Sequence, residues 1–163
     1  MSAHRGASRT GQLLAMVLLL LFLGGTGTAY AVPPISYQEV VVRKLVNSSG
    51  GEVLYRQGYY LGGSKGFGRD KVHNKHGITS DHVVAAVVRE PQDVFQDDVA
   101  NFPGRWAHRR EALLVGWTGV TDRVFVRVIV DYHGWNGPGQ LGVVTAYCEG
   151  YAGKCPEWVN RAF

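Results

Sequence analysis

Residues 123–132 alternate with a period of two. Val124, Val126, Val128 and Val130 fall on one side, Phe125, Arg127 and Ile129 on the other. A strand with one face buried produces this pattern, whereas a helix repeats its apolar positions every three to four residues. Two more strand-like runs flank it, residues 112–118 and 141–147. The separators, residues 119–122 and 134–139, are turn-forming. Trp106-Ala107-His108 begins a fourth run. Upstream the signals are helical. Residues 69–76 are polar and meet a stop at Gly77, and Thr79 or Ser80 caps a second segment with Asp81 in its first turn and Pro91 at its end. The apolar stretch of that segment, residues 83–88, is rich in valine, so a strand competes; the cap, the stop and the alanines favour helix. Residues 40–46 fit a strand or a helix, 47–51 form a turn and 52–55 a short strand. Residues 58–68 form a loop in which Tyr59, Tyr60 and Phe67 are interspersed with glycines. Helices followed by consecutive strands predict an α+β fold, with N-terminal helices packed on a C-terminal antiparallel sheet of about four strands.

The N-terminus has the form of a secretory signal peptide. Arg5 and Arg9 precede an apolar run over residues 13–23, and Ala29-Tyr30-Ala31 matches a signal-peptidase site. The run is well short of the roughly 20 residues that span a bilayer as a helix. A retained anchor is the alternative. Cleavage after Ala31 leaves residues 32–163 as one globular domain of ordinary size, secreted and no longer tied to a membrane. The removed segment holds two arginines and no acid, so the formal charge falls from +4 to +2. A domain this mildly basic offers no strong general attraction for nucleic acid.

Both cysteines, Cys148 and Cys155, lie near the C-terminus. In an exported chain they are expected to form a disulfide closing an eight-residue loop, which the chain-entropy estimate values at about 2–3 kcal/mol. The tail, residues 148–163, is thereby pinned. A redox-active or metal-binding pair is the competing reading; six intervening residues disfavour it.

The densest group of reactive side chains lies on the first helix. Arg69, His73 and His76 are spaced i, i+4 and i+7 and share one face, with Lys71 and Lys75 on a neighbouring stripe. Imidazoles among cations suit an anionic substrate and proton transfer near neutral pH. The plain alternative is a solvated helix face. A zinc site from His73, His76 and His82 lacks the usual helical spacing and a fourth ligand. On the last strand, alternation places Val143, Thr145 and Tyr147 on one face, where a hydroxyl and a phenol can bond a phosphate. Arg127 interrupts an apolar strand, either as a phosphate clamp or as a solvent-facing residue. No nucleophile elbow, phosphate-binding loop, dinucleotide fingerprint or paired-carboxylate motif is present in the sequence.

The order of these features resembles the small metal-independent RNases related to barnase, EndoU, the tRNA-cleaving colicins and RelE, many of which are toxin domains. Two stretches carry the resemblance: Gly66-Phe67-Gly68 through Lys75-His76-Gly77, and Val144-Thr145-Ala146-Tyr147. It spans residues 55–147. It implies a secreted toxin that cleaves RNA by attack of the ribose 2′-hydroxyl on phosphorus, with no metal or cofactor. His76 would be the principal acid or base, His73 its helper, and Lys71 or Lys75 the charge stabiliser. Thr145 and Tyr147 would contact the phosphate or leaving oxygen, and Arg69 and Arg127 the substrate. RNA and a cognate immunity or inhibitor protein are the implied partners. Aromatic residues of the 59–67 loop, or Trp135, would stack on splayed bases.

Two other readings stand beside it. One is a secreted, non-catalytic binding or inhibitor module presenting Gly150-Tyr151-Ala152-Gly153; the other is a hydrolase of another class. The RNase reading requires the His73 or His76 imidazole, a lysine and the Thr145 or Tyr147 hydroxyl to converge on one concave surface.

Overall fold

The computed structural model describes residues 34–134 and 139–163. The expected signal segment and Trp135 lie outside the described residues. A helical turn, Ile35–Gln38, leads into β1 (Val41–Val46), where the sequence left strand and helix open. β1 pairs antiparallel with β2 (Glu52–Arg56). Asn47 shapes the turn between them, its Oδ1 accepting from the Ser49 and Gly51 backbone N–H groups at 3.0 and 2.8 Å. The stretch expected to be a loop contains a short hairpin, β3 (Tyr59–Tyr60) with β4 (Gly66–Phe67). Two helices follow, α1 (Gly68–His76) and α2 (Asp81–Arg89). Then come β5 (Asp93–Gln96), β6 (Arg105–Gly116), β7 (Gly119–Asp131) and β8 (Gly142–Cys148). These four make one antiparallel sheet in the order β5-β6-β7-β8, and a 3₁₀ turn, Glu157–Arg161, closes the chain. The fold is α+β, with the helices before the sheet.

Each helix carries its own stop. Gly77 ends α1 in the left-handed region, at φ 68°, with its N–H on the His73 carbonyl and the Ile78 N–H reaching back to Val72. α2 starts at Ser80, but the Ser80 side chain makes no capping bond. Instead Asn160 Oδ1 accepts from the Thr79 and Ser80 backbone N–H groups at 2.7 and 3.2 Å, so the C-terminal turn secures the helix start. The valines of α2 are helical because burial outweighs propensity. Val83, Val84, Val87 and Val88 pack in one core with Val124, Val126, Val128 and Val130 of β7. Val72, Leu45, Val53 and Tyr55 join the same core. A second, smaller cluster joins Phe67, Ala107, Ile129 and Val144, edged by Tyr59, Phe95, Leu141 and Tyr147. β7 thus sends its valines to the main core and Ile129 to the second cluster.

Three sequence expectations change. Trp106-Ala107-His108 is not a separate strand; it opens β6, which runs unbroken through Arg109, Arg110 and Glu111. The charges hide this continuity, but each has a partner, Glu111 on Arg123 of β7. Arg109 lies 3.5 Å from the Phe125 ring centroid and binds Asp93, and Arg110 binds Glu90. The fourth strand is β5, a short edge strand pairing with the start of β6. The hairpin turn falls earlier than residues 119–122, since Gly116 pairs with Gly119. Finally, Val143 does not share a face with Thr145 and Tyr147. The register shifts between Ile129 and Val130, which oppose Thr145 and Val143 respectively. This bulge at Val144 sends Val143 into the main core and Val144 into the second cluster.

Candidate functional site

α1 packs against β8, with β3 and β4 alongside. This brings the last turn of α1 against Tyr147. The His76 and Tyr147 rings lie 5.7 Å apart between centroids, tilted by 38°. His76 is only 7 % exposed. Burial lowers its pKa to about 4, helped by the Lys75 and Lys71 charges and opposed by a backbone bond to Gly153. It is therefore a neutral imidazole across the physiological range. Its Nδ1 is buried without a hydrogen-bond partner, and so is Thr145 Oγ1 on β8. Native structures rarely leave such atoms unpaired.

The cations come from the same helix and from the sheet. Lys71 is buried beside the β3–β4 hairpin, and its Nζ donates to the Ser64 carbonyl at 3.0 Å. Burial holds its pKa below the usual lysine value, with Lys75 and then Arg105 adding to the effect. Tyr147 is pushed up, chiefly by burial and against the pull of Arg127. Its phenol is protonated at neutral pH. Arg127 lies over the Phe95 and Tyr147 rings, at 5.0 and 5.8 Å from their centroids. Its Nε and a terminal nitrogen both reach Glu149 Oε1, at 2.8 and 2.6 Å, and Arg109 reaches the same oxygen at 3.1 Å. Burial raises the Glu149 carboxyl, but the two guanidiniums overcome it and leave it below the usual value.

Arg69 and His73 take a different direction. Both converge on Asp81 at the start of α2, the guanidinium at 3.0 Å and the imidazole at 3.3 Å. The shared face read from helical spacing is thus divided: Arg69 and His73 fasten α1 to α2, and His76, one turn on, meets Tyr147. The three histidines considered for zinc also part company, since His82 sits 3.0 Å from the Phe163 carbonyl oxygen. Among the described residues, no group of three or more His, Cys, Asp or Glu side chains is placed to hold a metal ion.

Cys148 and Cys155 are joined by a disulfide. The bridge lays the 149–154 loop along the end of α1. The Cys155 N–H donates to the His76 carbonyl at 2.8 Å, and Gly153 bonds the His76 ring. A side chain at position 77 would press on Lys154 of this loop. Sequence reading missed Asp81, Glu149, Arg105 and Gly153 as members of this surface. For Arg105 and Glu149 the signal was weak: each is a charged residue at a strand end. For Gly153 there was none.

A cleft of about 340 Å³ is lined by Tyr59, Phe67, Phe102, Arg105, Asp131, His133, Leu141 and Val144, with Gly66 and Gly134; His76 and Tyr147 are not among its lining residues. Phe67 and Val144 connect it to the cluster that holds Tyr147. Among the described residues, no helix is long and apolar enough to cross a membrane. No protein-family model, curated protein or solved structure matches this chain.

Proposed function

We propose that the chain is a secreted, metal-independent endoribonuclease acting as a toxin, with His76 at its centre. The pairing of a neutral His76 imidazole with a protonated Tyr147, next to Lys71 and Lys75, is the observation that carries this reading. Cleavage of RNA needs a base that is unprotonated at working pH, an acid that holds its proton, and positive charge for the phosphoryl oxygens. His76 takes the proton of the ribose 2′-hydroxyl as that oxygen bonds to phosphorus. The bond from phosphorus to the 5′-oxygen breaks, and Tyr147 gives its proton to the departing oxygen. The product ends in a 2′,3′-cyclic phosphate. Lys71 and Lys75 stabilise the negative charge that builds on the phosphoryl oxygens, while the Thr145 hydroxyl, buried on β8, takes no direct part. Arg127 acts by holding Tyr147 rather than as a free clamp, because Glu149 occupies its guanidinium. Arg69 and His73 position α1 through Asp81. RNA is the substrate, and a cognate inhibitor protein is the expected partner in the producing cell.

The test is incubation of the oxidised chain with total RNA in EDTA, beside a His76→Ala variant shown to be folded by circular dichroism. The parent should cut RNA, and the variant should be at least about a hundredfold slower, as expected for loss of an acid–base group. If neither cuts over a range of pH and salt, the catalytic reading falls. A binding or inhibitor module would then be favoured, because Tyr151 stands 44 % exposed on the disulfide loop.

A further inference from the structure

The cleft between the β3–β4 hairpin and the sheet has a makeup different from that of the acid–base cluster, and no residue proposed for the reaction lines it; Phe67 and Val144 join it to the cluster that Tyr147 edges. Its walls are aromatic and aliphatic: Tyr59, Phe67 and Phe102, with Leu141 and Val144. Its polar groups are few and held in place. Arg105 Nε donates to Asp131 Oδ2 at 3.1 Å, and the guanidinium lies 3.4 Å from the Phe102 ring centroid. Asp131 Oδ1 accepts from the His133 backbone N–H at 3.0 Å. Tyr59 and Phe67 meet edge to face, with centroids 5.5 Å apart. The result is a mainly aromatic and aliphatic cleft that carries the planar Arg105 fork paired to Asp131, with His133 beside them. Flat rings with hydrogen-bond acceptors on one edge suit such a site.

We infer that this cleft holds one unpaired base of an RNA strand, its ring against the aromatic walls and its acceptor edge toward Arg105. The inference rests on the proposed RNase reading for the identity of the ligand. Single-stranded nucleic acids are held in this manner, by base stacking on aromatic side chains and by arginine. The position also fits. Val144 lines the cleft, and Tyr147 lies three residues further along β8, roughly 10 Å away at about 3.3 Å per residue. A strand with one base in the cleft can pass a nearby phosphate to His76. Lys71 interacts electrostatically with both parts: Arg105 helps to depress its pKa, and its own charge helps to depress that of His76. Close packing at two glycines shapes the lining residues Tyr59 and His133. A Cβ at Gly66 would stand 2.1 Å from the Tyr59 carbonyl oxygen, and a Cβ at Gly104 would overlap the His133 ring.

The experiment is a nuclear magnetic resonance titration of the isotope-labelled, oxidised full-length chain with the four 3′-mononucleotides. Ribose 5-phosphate and inorganic phosphate serve as baseless controls. Mononucleotides should shift the amides of Gly66, Phe67, Arg105, His133 and Val144, and the baseless controls should leave them in place. Phe102→Ala, at a residue already 41 % exposed, should weaken mononucleotide binding about tenfold. Arg105→Lys keeps the charge but loses the planar fork, and should weaken it severalfold. In RNA cleavage, Phe102→Ala should raise KM about tenfold and change kcat less than about twofold. No shift at millimolar mononucleotide overturns the inference, and equal shifts with ribose 5-phosphate overturn it in favour of an anion site at Arg105. The two proposals fail separately. Active RNase with an unaltered Phe102→Ala variant removes the base site alone. Base-dependent shifts in a chain that cuts no RNA keep the base site and remove the catalytic role of His76.

Discussion

His76 differs from an ordinary surface histidine because it has lost water without gaining an opposite charge. Burial and two neighbouring lysines all favour the neutral ring, so its pKa drops to about 4. A base that must be unprotonated loses activity as pH falls through its pKa. RNA cleavage should therefore stay level well below pH 6, where a histidine at its usual value would already be protonated, and fall off near pH 4. A pH–rate profile of kcat/KM on a short RNA would check this, and an acid limb near pH 6.5 would mean that another histidine is the base. His73 is the contrasting case. It faces a carboxylate on α2 and shares it with Arg69, which makes it a fastener between helices. Helical spacing identified both residues but not their different neighbours, because those come from Asp81 and Tyr147, eight and 71 positions away from them in the chain.

At the scale of elements, the sheet was legible where alternation was clean and hidden where charge broke it. The four valines of β7 mark a buried face in sequence, and they pack with α2 in the main core. β6 was visible only in part, because Arg109-Arg110-Glu111 reads as surface and is instead satisfied by Asp93, Glu149, Glu90 and Gln92. β5 was missed because a four-residue edge strand carries too little pattern. The bulge at Val144 cannot be read from alternation, which assumes an unbroken register. The β3–β4 hairpin was taken for a loop because its glycines look like turn residues. Gly62 and Gly63 are indeed turn residues with nothing near them, but Gly66 is needed for close approach: it has φ 125° and lies against the Tyr59 carbonyl. Gly66→Ala should therefore cost about 1–3 kcal/mol in backbone strain, more than a surface substitution. Thermal unfolding of the variant should show a Tm lower by several degrees. A Tm within a degree of the parent would mean that the hairpin contributes little to the folded state.

Across the whole molecule, the disulfide loop connects stability to the proton chemistry of the site. Burial lowers the pKa of His76, and also that of His108 in the main sheet. The unfolded chain therefore binds more protons than the folded one once pH falls below about 6.5. The contribution of these histidines is complete above that value. It is lost on acidification, for His76 down to about pH 4, at up to about 1.4 kcal/mol per pH unit for each group. Denaturant melts from pH 7 to pH 4 should show this slope, reduced in His76→Gln. The loop held by Cys148 and Cys155 is tied to His76, through the Cys155 N–H on its carbonyl and through the Gly153 backbone on its ring. Replacing both cysteines by serine should cost about 2–3 kcal/mol by releasing the unfolded chain. It should also loosen the loop at Gly153. Two effects on His76 then oppose each other: losing the Gly153 bond lowers the pKa, and readmitting water raises it. Burial is the larger of the two in the intact protein. The double variant should therefore show a His76 pKa moved up from about 4 toward 6.5, measured from the imidazole resonances across a pH titration. A pKa unchanged in a folded double variant would place the burial of His76 in Tyr147 and the lysines of α1 rather than in the loop. The disulfide would then serve stability alone.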